Sequence, residues 1–203
     1  MIRFEEQTID DWQEAFDDIT ASQYDAELQD IQFLCEETVF MGNKLIIQTV
    51  SDYWKNHFRQ HKDATLIELT DVKSNHFAQI FEYMYTGKIK FETLEQAMQL
   101  VRLIKHYKLN RLYSDILELI QYSVSLTNVW HLFQTSVLTE DIEEIFLKFL
   151  DSKATETVKT TEVLHLSYNV FEKVISRDTF SASETEIFEM TKKWLQRNPS
   201  HKE

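Results

Sequence analysis

The stretch Phe81-Glu-Tyr-Met-Tyr-Thr-Gly-Lys-Ile-Lys-Phe91 limits the possible folds more than any other. Large aromatic and sulfur side chains run straight into a Thr-Gly turn, and alternating lysines and apolar residues follow it. The pattern predicts a buried helix end, a sharp reversal at Gly87 and a short strand over Lys88–Phe91. Gly87 is one of only two glycines in 203 residues, so it marks a backbone position that other residues take with difficulty. With so few glycines and one proline, Pro199, the chain lacks both the tight reversals of a β-sandwich or barrel and the composition of a flexible linker. A mostly helical fold is expected, with no loose tether between domains.

Cys35 is the sole cysteine, which rules out an internal disulfide, and no Cys and His residues share zinc-ligand spacing. The reducing cytosol or nucleus is the natural location. Met1-Ile-Arg-Phe-Glu-Glu lacks the apolar core of a signal peptide, and no apolar run approaches the roughly 18 residues of a membrane span. Acidic residues number 34 against 21 basic ones, for a net charge of -13, which repels phosphate backbones and anionic membranes. Neither nucleic acid nor membrane is expected as a partner.

Ile9, Trp12, Phe16 and Ile19 fall at helical spacing, with Asp10, Asp11, Glu14, Asp17 and Asp18 opposite them. The stripe either covers its own domain's core or packs against a second copy of the chain. From Asp30 the period changes to two: Ile31-Gln-Phe33-Leu-Cys35, then Glu36-Glu37 and Thr38-Val-Phe40, which predicts a hairpin. Lys44 to Val50 reads as a buried helix, Ser51 caps a helix bearing Tyr53, Trp54 and Phe58, and Thr65 to Leu69 is a third strand. Phe77, Ile80, Phe81 and Met84 stripe one helix. Thr93 and Gln96 form a capping box for another that carries Ala97, Leu100, Val101, Ile104 and Tyr107.

Strands among helices in this order predict a small α+β domain ending near residue 122. Beyond it every signal is helical. Thr127 caps Val129, Leu132 and Phe133; Ile142, Ile145, Phe146 and Phe149 form a stripe; and Val163 to Ile175 adds Leu164, Leu166, Val170, Phe171 and Val174. Ser183 and Glu186 cap a last helix with Ile187, Met190, Trp194 and Leu195.

No phosphate loop, dinucleotide fingerprint, GxSxG or HExxH occurs, so nucleotide chemistry and the common hydrolase sites lack their scaffolds. No catalytic group and no cofactor is expected. His57 and His61, four apart with Asp63 nearby, share a helix face in the geometry of a metal pair, but a pair so near a helix end reads as solvated and no metal is assigned. Cys35 reads as a small buried hydrophobe rather than a nucleophile. The basic run Arg102, Lys105, His106, Lys108 and Arg111 reads as a solvated helix face.

Taken in order, Asp30-Ile-Gln-Phe33, Ser51-Asp-Tyr-Trp-Lys-Asn-His-Phe58, Ile67-Glu-Leu-Thr-Asp71, Phe81-Glu-Tyr-Met-Tyr-Thr-Gly87 and Leu103-Ile-Lys-His-Tyr107-Lys-Leu109 resemble the BTB (POZ) domain over residues 28 to 122. Ser176-Arg-Asp-Thr-Phe180 and Glu186-Ile-Phe-Glu-Met-Thr-Lys-Lys-Trp194, within residues 123 to 203, resemble the BACK domain that often follows it. The nearest resemblance is to BTB-BACK proteins that carry discoidin-like domains further on.

The resemblance implies a small three-stranded sheet flanked by helices, then an all-helical module, with residues 1 to 27 holding a dimerisation helix. It implies a homodimer in which Ile9, Trp12, Phe16 and Ile19 pack across the interface beside a charged pocket at Asp30 and Asn43. It also implies an adaptor of the cullin-3 ubiquitin-ligase type, contacting cullin-3 through Phe58, His61, Lys62, Ala64 and Tyr85 and through Trp130 and Phe133, while an unidentified substrate protein is captured elsewhere. The alternative is a dimeric scaffold that does not bind cullin-3. Two departures from the family pattern bear on this. Gly42-Asn43 stands where relatives place Ala-His, and Lys62 and Ala64 stand where cullin binders place a hydrophobic residue and a glutamate.

Overall fold

The computed structural model describes residues 12–21, 25–135 and 139–199, the side chains of 12–16 and 135 apart. The chain divides into two compact units. One is Met1–Lys90 with Leu103–Asn110, and the other is Phe91–Arg102 with Arg111–Glu203.

In the first unit, β1 (Ile31–Cys35) pairs antiparallel with β2 (Thr38–Gly42) and parallel with β3 (Leu66–Leu69), giving the order β2-β1-β3. Phe33 sits opposite Phe40 on one side and Ile67 on the other. The period of two decides what β1 buries: Ile31, Phe33 and Cys35 point inward and are fully buried while Gln32 is exposed. Around the strands lie α1 (Trp12–Ala21), α2 (Lys44–Val50), α3 (Asp52–Gln60), α4 (Ser74–Thr86) and the last residues of α5 (Leu94–His106).

Rings fill the space between. Phe33 meets Trp54 at 4.9 Å, Phe77 at 5.4 Å and Phe81 at 6.1 Å between centroids, and Trp54 stacks on Tyr107 at 5.1 Å. Burying one such side chain contributes about 1.5–3 kcal/mol. Ser51 joins two parts of this core: its Oγ accepts from the Trp54 N–H to cap α3 and donates to the Tyr107 carbonyl at 2.6 Å. Cys35 is buried as expected, its thiol directed at the Val72 carbonyl, and burial raises its pKa and keeps it a thiol.

The two glycines answer different needs. Gly87 ends α4 in the left-handed region, φ 62°, where a side chain is strained. Gly42 is needed for space, because a Cβ there would stand 2.8 Å from Ile47 Cδ1 and 3.2 Å from the Phe81 ring. The strand expected over Lys88–Phe91 does not form. The alternation survives without a ladder: Ile89 and Phe91 are half-buried and both lysines exposed, while Thr86 Oγ1 takes the Lys88 N–H that a neighbouring strand would have used.

The second unit contains the start of α5, then α6 (Asn110–Ser123) from Arg111 onward, α7 (Val129–Thr135), α8 (Glu140–Ser152), α9 (Ala154–Thr157), a 3-10 turn (Glu162–His165), α10 (Tyr168–Ile175) and α11 (Glu184–Arg197). Ile116, Leu132, Phe146, Leu150, Val163, Phe171 and Trp194 lie in its core. Trp194 stacks on Phe171 at 4.7 Å and donates its indole N–H to the Leu166 carbonyl. The capping box at Ser183 and Glu186 is complete.

Two caps differ from expectation. Thr127 pairs with Ser125 Oγ instead of capping α7; Asn128 does the local work, accepting from the Ser125 N–H and donating to the Ser123 carbonyl. Before α5, Thr93 accepts from the Gln96 N–H, but the Gln96 side chain reaches back one residue further, to the Glu92 N–H.

Candidate interaction surfaces

A polar knot sits where β2 runs into α2. Asn43 caps α2 by accepting from the Leu45 and Ile46 N–H groups, and its amide donates to the Leu28 carbonyl. Its own N–H donates to the Tyr85 hydroxyl at 2.7 Å, while Asp30 accepts from the Lys44 N–H at 2.8 Å. Burial raises the Tyr85 pKa and holds the phenol neutral. Leu28 and Leu45 are exposed beside this knot, as is Ile19 on α1. The hydroxyl of Thr20, next to Ile19, bonds the Tyr85 carbonyl, so α1 is tied to the end of α4.

A second surface is the end of α3 and the loop after it. His57 stacks face to face with His61, centroids 4.5 Å apart and planes 6° apart. Beyond them the Lys62 side chain is exposed, its carbonyl accepts from Lys44 Nζ, and Ala64 is half-buried.

In the second unit, α6 and α8 border a groove of about 840 Å³. Leu117, Ile145 and Phe149 supply its apolar lining, and Glu140, Asp141 and Glu144 make its rim acidic, with Lys148 as the basic exception. Tyr113 donates to Asp141 there, which fixes one of the rim carboxylates.

The BTB/POZ domain model matches residues 20–123, and the model described as "BTB And C-terminal Kelch" (BACK) matches residues 129–203. The chain belongs to the BTB-BACK family. It is 25% identical over 178 residues to Kelch-like protein 31 of Danio rerio, covering 80% of this chain and 27% of that protein. It is 25% identical over 179 residues to BTB/POZ domain-containing protein 9 of Drosophila melanogaster, covering 83% and 24%. The chain thus spans about a quarter of the length of the curated relatives it matches. The solved BTB domain of zebrafish PATZ1 superposes on 60% of the chain, and all of that domain, with a TM-score of 0.51 at 20% identity.

Of the BTB residues expected to join two copies, Ile9 lies outside the described residues, and Trp12 and Phe16 are placed on α1 by backbone alone. Ile19 is exposed, whereas Asp30 and Asn43 make bonds within their own chain. Among those expected to meet cullin-3, His61 and Lys62 are at the surface and Ala64 partly so. Phe58 and Tyr85 in the BTB region are buried, as are Trp130 and Phe133 in the BACK region. Each packs within its own unit. Phe133 packs on Phe146, and Trp130 donates to Thr160 Oγ1.

The groove lining comes from the edge of the expected α8 stripe. Ile145 and Phe149 fit a core stripe by spacing, but both are only half-buried. The acidic pairs flanking them, Glu140-Asp141 and Glu143-Glu144, were the available signal. Among the described residues no helix is long and apolar enough to cross a membrane.

Proposed function

We propose that this chain is a non-catalytic, self-associating adaptor of the cytosol or nucleus that engages cullin-3 and positions a substrate protein for ubiquitination. The observation that carries the reading is the succession of BTB and BACK matches along nearly the whole chain, a pairing that belongs to protein–protein interaction modules. The exposed apolar residues Ile19, Leu28 and Leu45 support self-association, since a second copy would remove them from water. The α3 end, with His61 and Lys62 at the surface, and the acid-rimmed groove of α6 and α8 are the surfaces offered to the cullin. A groove of that character suits a basic segment with apolar anchors.

Calorimetric titration of the folded chain with the amino-terminal region of cullin-3 tests the ligase half. Saturable binding that Phe149→Asp weakens supports it; no heat from folded protein removes it. In that case the second reading stands, a BTB scaffold without the ligase. Lys62 favours that reading, because an ammonium group replaces the apolar anchor expected at an interface hot spot. Self-association is tested separately by light scattering at micromolar concentration. A dimer that Ile19→Asp dissociates is the expected result, and a monomer in the parent chain overturns it.

A further inference from the structure

The pleat that sends Ile31, Phe33 and Cys35 into the core turns the alternate residues of the sheet outward, and on this chain that outer side is mostly apolar. The register sets Met41, Gln32 and Leu66 side by side across β2, β1 and β3, and Val39, Leu34 and Glu68 in the next row. Val39 is 51% exposed, Leu66 50% and Met41 38%, while Leu34 is half-buried. A sheet with one wetted face ordinarily carries polar residues there, so apolar side chains in two adjacent rows mark a contact surface. Charge is uneven along it. At the hairpin end Glu37 and Glu68 are exposed, and the three strands contain no lysine or arginine. At the other end Asp30 accepts from the Lys44 N–H, Lys44 Nζ donates to the Lys62 carbonyl and the Lys62 side chain is exposed, so the acidic character belongs to the hairpin end.

We propose that this outer face docks a short amphipathic helix of a partner protein, its apolar side on Val39, Leu34, Met41 and Leu66 and a lysine or arginine beside Glu37 and Glu68. Met41 and Leu66 flank β1, so the patch is about 10 Å wide across strands about 4.8 Å apart, and its two rows lie about 7 Å apart along them. A helix about 10 Å across, rising about 5.4 Å per turn, lays two turns on such a patch. A second copy of the chain suits it less, because a stable dimer buries about 800 Å² on each partner, many times the extent of these two rows. The inner face already packs on helices of its own unit through Phe33, Trp54 and Phe77, and a helix on the outer face completes a three-layer arrangement. Met41 adds a flexible thioether that fits apolar side chains of varied shape. The acidic end favours a basic flank on the partner and rejects an acidic one.

The test is an NMR titration of the chain isotope-labelled at its methionine methyl groups. Of the five methionines, Met41 is assigned by the signal missing from Met41→Leu. The probe is a Leu/Lys peptide of roughly 15 residues patterned as an amphipathic helix. The expected result is a saturable shift of the Met41 signal, no shift with a Leu/Glu peptide of the same pattern, and binding about tenfold weaker in the double variant Val39→Thr with Leu66→Thr. Both positions are exposed and threonine suits a strand, so that variant should melt with the parent. A Met41 signal that stays fixed while the peptide binds overturns the proposal, since the peptide then lies elsewhere, as in the α6–α8 groove. No binding overturns it too, as does equal binding of the Leu/Glu peptide or an undiminished affinity in the double variant. A Met41 signal that moves with protein concentration alone gives the face to a second copy and likewise overturns the proposal.

Discussion

The two units solve the same packing problem with different materials. Around β1 the BTB unit interlocks rings, with Phe33 touching Trp54, Phe77 and Phe81, and Trp54 and Phe77 each touching Tyr107. The BACK unit, which also takes in residues 91–102 and 111–123 of the BTB match, is lined mainly by aliphatic residues and adds a polar clamp. Arg177 grips Asp151 through Nε and Nη2, the latter at 2.8 Å, while Thr179 donates to the same carboxylate at 2.7 Å. A ring cluster tolerates loss of any member poorly but is indifferent to salt and pH. A charged clamp fixes direction, and its strength follows ionic conditions. The difference teaches where each unit is vulnerable.

The largest expected effect lies in the ring cluster. Phe33→Ala should destabilise the BTB unit by about 3–5 kcal/mol, since Phe33 is fully buried and its rigid neighbours cannot close the cavity. Urea unfolding at low and high salt measures it, and the loss should be the same in both. A loss that changes with salt would break the contrast between the units.

Next comes the clamp. Arg177→Met should destabilise the BACK unit by about 2 kcal/mol, between the values for a surface pair and a fully buried one. The side chains of Arg177 and Asp151 are 26% and 14% exposed, so neither extreme applies. The difference from the parent should shrink as salt rises. Equal losses at both salt concentrations would show that Arg177 acts by packing alone.

What could be read in advance divides along distance in sequence. The Ser183 capping box and the β1–β2 hairpin are written within a few residues, and both form as expected. The Lys88–Phe91 strand failed because alternation supplies a pattern but not a neighbouring edge to pair with. The setting of Tyr85 was illegible for a related reason: its hydroxyl accepts from the N–H of Asn43, 42 residues away, and no local pattern announces that bond. Of the candidate surfaces, the α3 loop was legible from motif order. The α6–α8 groove was not, because Ile145 and Phe149 have the spacing of core residues and only tertiary packing leaves them half open.

The glycines sharpen the comparison within the ring-packed unit. Gly42→Ala should cost about 1–3 kcal/mol, because its Cβ meets Ile47 and the Phe81 ring and the crowded core must shift. Gly87→Ala should cost about 1–2 kcal/mol through left-handed backbone strain. Thermal melts of the two variants and of the pair Gly42→Ala with Phe81→Leu separate these causes. Shrinking the ring should recover part of the loss at Gly42 and none at Gly87.

The smallest expected effect tests whether the ring-built unit also relies on charge. Lys73 at the start of α4 offers no side-chain cap, and the need is met by Glu36, in the hairpin turn, whose carboxylate accepts from the Ser74 N–H at 2.9 Å. That bond, reinforced by the Ser74 hydroxyl and by Lys73, holds the Glu36 pKa below its ordinary value of about 4.5. A carboxyl group whose pKa falls on folding adds stability that is fully present above its unfolded value and disappears as pH drops through the folded one. Glu36→Gln, which keeps the shape and removes the charge, should therefore lower the melting temperature slightly at pH 7, and its curve should converge on the parent's as the pH falls through the lowered folded value of the carboxyl. Glu36 also sits at φ 54°, a strained angle that glycine would relieve. If Glu36→Gly is as stable as the parent at pH 7 while Glu36→Gln is weaker, strain and cap are of similar size. If both variants match the parent at every pH, the α4 terminus needs no carboxylate and the BTB unit is held by its rings alone.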